Sequence, residues 1–129
     1  MKGYILDTNV VILADAQSVR LSTEAKGAIA RGPSFVSLLA YWEVVIKSMK
    51  GNLDVGDPWA WWDRSLRALE LSPLMLTPPH IDWIRNLPPI HRDPFDRALI
   101  AQALVEDLTL VTTDGAFERY REAGLQVIR

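Results

Sequence analysis

With 129 residues, 49% hydrophobic and 23% charged, the chain is long enough to bury a real core, and one domain spanning 1–129 is expected. It has no cysteine, which excludes disulfides and thiolate zinc sites and makes a reducing cytoplasm the expected compartment. No apolar run approaches the ~20 residues of a membrane-spanning helix. A formal net charge of −2 also argues against a surface that grips nucleic acid unaided; such a function needs local basic patches, bridging metal ions or a dimer that pools its cations.

In chain order, "GYILD" reads as a short buried strand ending in Asp7, rather than as part of a signal peptide, because Asp7 and Asn9 interrupt the apolar stretch. "NVVILADA" and "STEAKGAIARG" read as helices, the second stopped by Gly32-Pro33. "SFVS" is a strand or turn leading into the helix "LLAYWEVVIKSMKG", closed by Gly51. "DPWAWWDRSLRALE" starts a helix at Asp-Pro, "LMLTP" is a strand candidate, and "PHIDWIRNL" a short helix. The long helix is "HRDPFDRALIAQALVED"; "LTLVTTD" is a buried strand, "GAFERYREAG" a helix and "LQVIR" a terminal strand. Short apolar strands alternating with helices imply an α/β fold, a parallel sheet covered on both faces. Ligands of such sheets bind beyond the carboxyl ends of the strands, where Asp7 and Asp114 both fall.

Two acids crowd the head of the long helix. Asp93 suits the N-cap and Pro94 the first helical position, and an acid at Asp96 also favours the positive end of the helix dipole. Capping explains Asp93 better than Asp96, because Asp96 shares a helical stripe with Leu99, Ile100, Ala103 and Leu104. Asp7 is the only charged residue between Lys2 and Asp15, and Glu43 the only one between Arg31 and Lys47, on a helix apolar on nearly all sides. Burying an ionised carboxylate without a partner costs several kcal/mol. Two like charges 4 Å apart add roughly 4 kcal/mol at an effective dielectric of 20. Each acid therefore has its own cation, for which Lys47, Arg92 and Arg97 are candidates, or several acids share one. For a single acid a salt bridge or cap is an adequate account; for Asp7, Glu43, Asp96 and Asp114 together a shared cation is the better one. Oxygen-only ligands favour Mg²⁺ or Mn²⁺, and carboxylates holding such ions are the apparatus of phosphodiester hydrolysis.

The segments "YILDTNVVI", "YWEVVIKSMKGNL", "RDPFDRALIAQA" and "LVTTDGAF" resemble, in order and spacing, the four acidic signatures of the PIN-domain nucleases, and especially of the small bacterial VapC-type toxins. The resemblance covers essentially the whole chain. It implies a Rossmann-like three-layer α/β/α sandwich with a central parallel sheet, acting as a divalent-metal-dependent endoribonuclease, usually a homodimer, neutralised by a cognate antitoxin. It also implies that Asp7, Asp96 and Asp114 hold Mg²⁺ or Mn²⁺ and that Glu43 positions the nucleophilic water. Asn9 and Thr113 correspond to residues that orient the carboxylates or waters, while Asp93 remains an N-cap.

Other residues invite functional readings. Trp59, Trp62, Leu66 and Leu69 form one helical stripe expected in the core, which leaves Trp61 as a candidate interface anchor or a ring covered by a loop. His91 sits beside the acids, but no strained nucleophile turn accompanies Ser37 or Ser48, so a loop histidine is expected. Lys47, Lys50, Arg92 and Arg97 offer either a basic rim for a phosphate backbone or ordinary solvated charges. Rival readings are a degenerate PIN module that binds RNA or protein without catalysis, and a receiver- or phosphatase-like Mg²⁺ domain. Against the latter, "DTN" lacks the second acid of a phosphatase pair, and "LVTTDG" lacks the lysine a receiver places there.

Overall fold

The computed structural model describes residues 2–129. Its strands are short and apolar: β1 (Tyr4–Leu6), β2 (Ser34–Ser37), β3 (Leu71–Leu74), β4 (Thr109–Val111) and β5 (Val127–Ile128). They form a parallel sheet in the order β3-β2-β1-β4-β5. In the central strand Leu6 lies beside Val36 on one flank and Val111 on the other. Where β1 and β2 begin, the backbones approach so closely that a Cβ on Gly3 would fall 2.6 Å from the Pro33 carbonyl oxygen.

Side-chain alternation divides the core. Tyr4 and Leu6 face a layer built from α1 (Thr8–Asp15), α2 (Thr23–Arg31), α3 (Leu38–Met49) and α4 (Pro58–Ala68). Ile5 faces the opposite layer, where α6 (Pro94–Glu106) and a 3-10 helix (Gly115–Ala123) supply Leu99, Ile100, Phe117 and Tyr120. On that side α5 (Pro78–Trp83) packs along α6, and the buried His80 bonds Glu106 at 2.7 Å. The result is the three-layer α/β/α sandwich that the sequence leads one to expect. No helix among the described residues is long and apolar enough to cross a membrane.

The direction in which successive strands are added reverses at β1. From β1 the chain runs outward through β2 to β3, then returns to place β4 on the other flank. That switch point, between β1 and β4, is where open parallel sheets leave a crevice. The order differs from the 2-1-3-4-5 arrangement of receiver-type folds, which removes the receiver half of that rival.

Two expectations need correction. The third strand is Leu71–Leu74 rather than 74–78; it starts directly after a left-handed turn at Glu70 (φ 53) and carries Pro73, tolerated because β3 is an edge strand. The helix expected after β4 is present, as a 3-10 helix. On α4 the buried arc passes through Trp61, Trp62 and Ser65, so Trp61 is 1% exposed and Trp59 62% exposed. Trp62 stacks on Tyr41 at 5.2 Å, whereas Trp59 meets the same ring only at its outer side, at 6.0 Å. The small Ser65 lets the helix roll that arc inward, and the interface reading of Trp61 is withdrawn.

Truncating Trp61 to Ala is expected to cost about 3–5 kcal/mol of stability. The Trp59→Ala change should stay within about 0.5 kcal/mol. Chemical denaturation of both variants checks the pair, and a near-neutral Trp61→Ala would contradict the assigned helix face.

Candidate active site

Each of the four acids is delivered by a different element to the carboxyl end of the sheet. Asp7 directly follows β1 and caps α1: its Oδ1 accepts the Val10 N–H at 2.9 Å, and its Oδ2 accepts the Thr112 hydroxyl. Its own N–H donates to the Val111 carbonyl at 3.0 Å, so strand pairing continues into the site. Glu43 projects from the middle of α3, with Lys47 Nζ 3.5 Å from its Oε2. Asp114 follows β4 and caps the 3-10 helix, its Oδ1 accepting the Ala116 N–H at 2.9 Å. Asp96 lies in the first turn of α6, but the cap is Asp93, whose Oδ1 accepts the Phe95 N–H at 2.8 Å.

All four acids line one cleft of about 360 Å³, together with Asn9, Lys47, Phe95 and Thr113. Asn9 donates to the Thr113 hydroxyl at 2.8 Å, bridging the start of α1 and the loop after β4. Asp96 makes no hydrogen bond or ion pair among the described residues. Burial, followed by the negative charges of Asp93, Glu43, Asp114 and Asp7, pushes its carboxyl pKa up to about 7. Burial also raises the Asp7 carboxyl, an effect partly offset by Thr112 and the Val10 amide and reinforced by Glu43 and Asp114. Neither acid has a lysine or arginine relieving it.

The four carboxylates share a field without converging on a point. Among the described residues no three acidic or imidazole side chains stand in an arrangement that holds a metal ion. Their anchors account for this: Asp7 is tied on both oxygens, Asp114 turns one oxygen back to Ala116, and Glu43 leans to Lys47. Like charges so tethered keep apart. The donor set itself suits a hard divalent cation. It is all oxygen, and in Asp96 it includes a carboxylate with no competing partner among the described residues.

Other candidates have different positions. Arg97 does not reach the cleft: its guanidinium donates to the carbonyls of Ile84, Leu87, Pro88 and His91 at 3.0–3.4 Å and fixes the segment leading into α6. Lys50 and Arg92 are exposed and do not line the cleft, so of the four basic residues only Lys47 does. His91 lies outside the cleft, stacked on Tyr120 at 5.6 Å and edge-on to Phe117 at 5.2 Å, with its Nε2 buried. The hydroxyl of Ser37 caps α3 by accepting from the Leu39 N–H, and neither the Ser48 hydroxyl nor His91 Nε2 has a hydrogen-bond partner among the described residues, so neither serine is paired with His91 there. Thr112 is a site residue the sequence hardly signals, its one mark being a hydroxyl directly after the β4 strand and before Thr113.

A family model for the PIN domain matches residues 4–123. A comparison with curated protein sequences finds no match. Among solved structures, the chain is similar to VapBC2 from Rickettsia felis bound to a DNA fragment from its promoter. That match has a TM-score of 0.71 and 16% identity over 97% of this chain and 96% of the other. A toxin–antitoxin complex from Klebsiella pneumoniae gives 0.63 and 21%, covering 98% and 97%. VapBC-1 from nontypeable Haemophilus influenzae gives 0.57 and 22%, covering 97% and 96%. Identities this low establish likeness of fold.

The raised Asp96 carboxyl carries a stability consequence. The unfolded chain releases this proton near the ordinary value of 3.8, the folded chain near 7. Between those values the folded state binds more protons than the unfolded one, so stability falls as pH rises through the window. With chelator present, the melting temperature is expected to drop between about pH 4 and about pH 7. The Asp96→Asn variant should lose most of that drop and be more stable at the upper end by roughly 1–2 kcal/mol, a figure reduced for solvent screening of a half-buried group. Equal pH profiles for the two proteins would contradict the electrostatics described for the cleft.

Proposed function

Because the chain belongs to the PIN-domain family, whose members are generally nucleases, we propose that it is a divalent-metal-dependent endoribonuclease and the toxin of a type II toxin–antitoxin pair. The observation that carries this reading is the gathering of Asp7, Glu43, Asp96 and Asp114 from four elements around one cleft, where the charges acting on Asp96 among the described residues are those of other acids. A fold held together by ion pairs does not need such an arrangement, which costs stability unless a cation enters. Asp7, Asp96 and Asp114 would hold Mg²⁺ or Mn²⁺, which when bound supplies a more acidic water and a counter-charge for phosphate oxygens. Glu43 orients the attacking water, and Lys47 keeps Glu43 extended along α3. Asn9 and Thr113 brace the rim by their mutual hydrogen bond.

The toxin role rests on the company the fold keeps. Similar solved structures include toxin–antitoxin complexes, VapBC2 and VapBC-1 among them. By that analogy the partners are RNA, a cognate antitoxin and a second copy of this chain. With a net charge of −2 overall, the protein engages phosphates mainly through the cation held by its acids, so it should bind RNA weakly without one.

Replacing Asp7 or Asp96 by Asn is expected to lower Mg²⁺- or Mn²⁺-dependent RNA cleavage roughly 100-fold or more. Circular dichroism should show both variants folded. Full activity in either purified variant refutes the assigned site, and wild-type cleavage that persists in excess chelator refutes the metal dependence.

A further inference from the structure

Thr112 is wholly buried, at 0% exposure, so its hydroxyl must find partners within the protein. Its backbone is fixed from the outer side, its N–H donating to the Ile128 carbonyl of β5 at 3.0 Å. A hydroxyl offers one proton and two lone pairs. The proton goes to Asp7 Oδ2, the only direction open when the acceptor is an ionised carboxylate; a lone pair takes the Asp114 N–H at 3.0 Å. One oxygen atom therefore joins two of the four acids of the cleft, through the side chain of one and the backbone of the other. Asp7 is pinned on its other oxygen by the Val10 N–H, so its carboxylate plane has no freedom to turn. Each of its oxygens keeps lone-pair capacity not used by the protein.

We propose that Thr112 is a positioning residue for divalent-cation binding, its hydroxyl fixing the Asp7 carboxylate and the backbone of Asp114 relative to each other. The inference rests on the nuclease reading only for its purpose, since the readout is cation affinity. A hydroxyl that merely satisfied buried polar groups would affect folding stability and leave affinity alone. A hydroxyl that pre-sets two ligands lowers affinity when removed, as partners of metal-binding carboxylates do, typically by 10–100-fold.

The test is isothermal titration of Mn²⁺ into the full chain, without RNA, for wild type, Thr112→Val and Thr112→Ser. Melting curves in chelator establish that each is folded. Expected are a Thr112→Val affinity at least about 10-fold below wild type and a Thr112→Ser affinity within about threefold of it. Thr112→Ala stands in for the valine variant if the latter does not fold. Wild-type Mn²⁺ affinity in Thr112→Val or Thr112→Ala overturns the proposal, and so does a Thr112→Ser variant as weak as Thr112→Val, because the methyl group would then be what matters. Cleavage assays on the same proteins separate the two readings. A wild type that binds Mn²⁺ but cuts no RNA overturns the nuclease reading alone. A wild type that cuts RNA beside a Thr112→Val variant of unchanged affinity overturns the positioning role alone. A wild type that does not bind Mn²⁺ overturns both.

Discussion

Pairing of β1 with β4 is the constraint on which the cleft depends. Leu6 sits opposite Val111, and the ladder runs one step past both strands, with the Asp7 N–H bonded to the Val111 carbonyl. Those two strands are far apart in sequence, and the reversal at β1 of the direction in which strands are added is what makes them neighbours. A parallel sheet points both carboxyl ends the same way, so Asp7 and the Thr112–Asp114 loop share a rim. The apolar side chains behind that rim are packed on both faces of the sheet, with Leu6 and Val111 in one layer and Ile5 and Leu110 in the other. Polar groups at the rim are therefore held by a scaffold with little room to yield.

Much of this is legible in the sequence, and the failures have identifiable causes. Isolated charges in apolar surroundings point to Asp7 and Glu43, and the helical stripe below Asp96 points inward. Elements announced by a cap or by β-branched runs lie where expected, as with Asp57-Pro58, Asp93-Pro94 and the β1 and β4 strands. Edge strand β3 escapes because Ser72 and Pro73 argue against a strand, and only the open flank of the sheet tolerates them. The rotation of α4 escapes because two stripes of nearly equal hydrophobicity, through Trp59 and through Trp61, differ by about half a turn. Which one is buried is decided by the shape of its neighbours, here Tyr41 and the small Ser65. The position of Arg97 escapes for a related reason: the sequence leaves it as an acid's partner, a rim cation or a solvated charge, and the carbonyls it binds become neighbours only after the segment before α6 has folded back.

The head of α6 shows how one helix start serves two purposes. Asp93 takes the cap hydrogen bond, which leaves Asp96, three residues on, without a structural task. The positive end of the α6 dipole favours an anion there, but by only about 0.3–1 kcal/mol. That is too little against burial together with four neighbouring acids, and the carboxyl accordingly holds its proton up to about pH 7. The acids thus oppose the fold that carries them, and the fold tolerates them because the sheet and Asp93 supply the local order. A cleft arranged this way gains more from an entering cation than a site of pre-paired charges does, since every carboxylate–carboxylate repulsion is relieved at once. In the proposed reading, the crowding of acids at Asp96 and the tethering of Asp7 by Thr112 are complementary: one would create the demand for a cation, the other would limit where it is met.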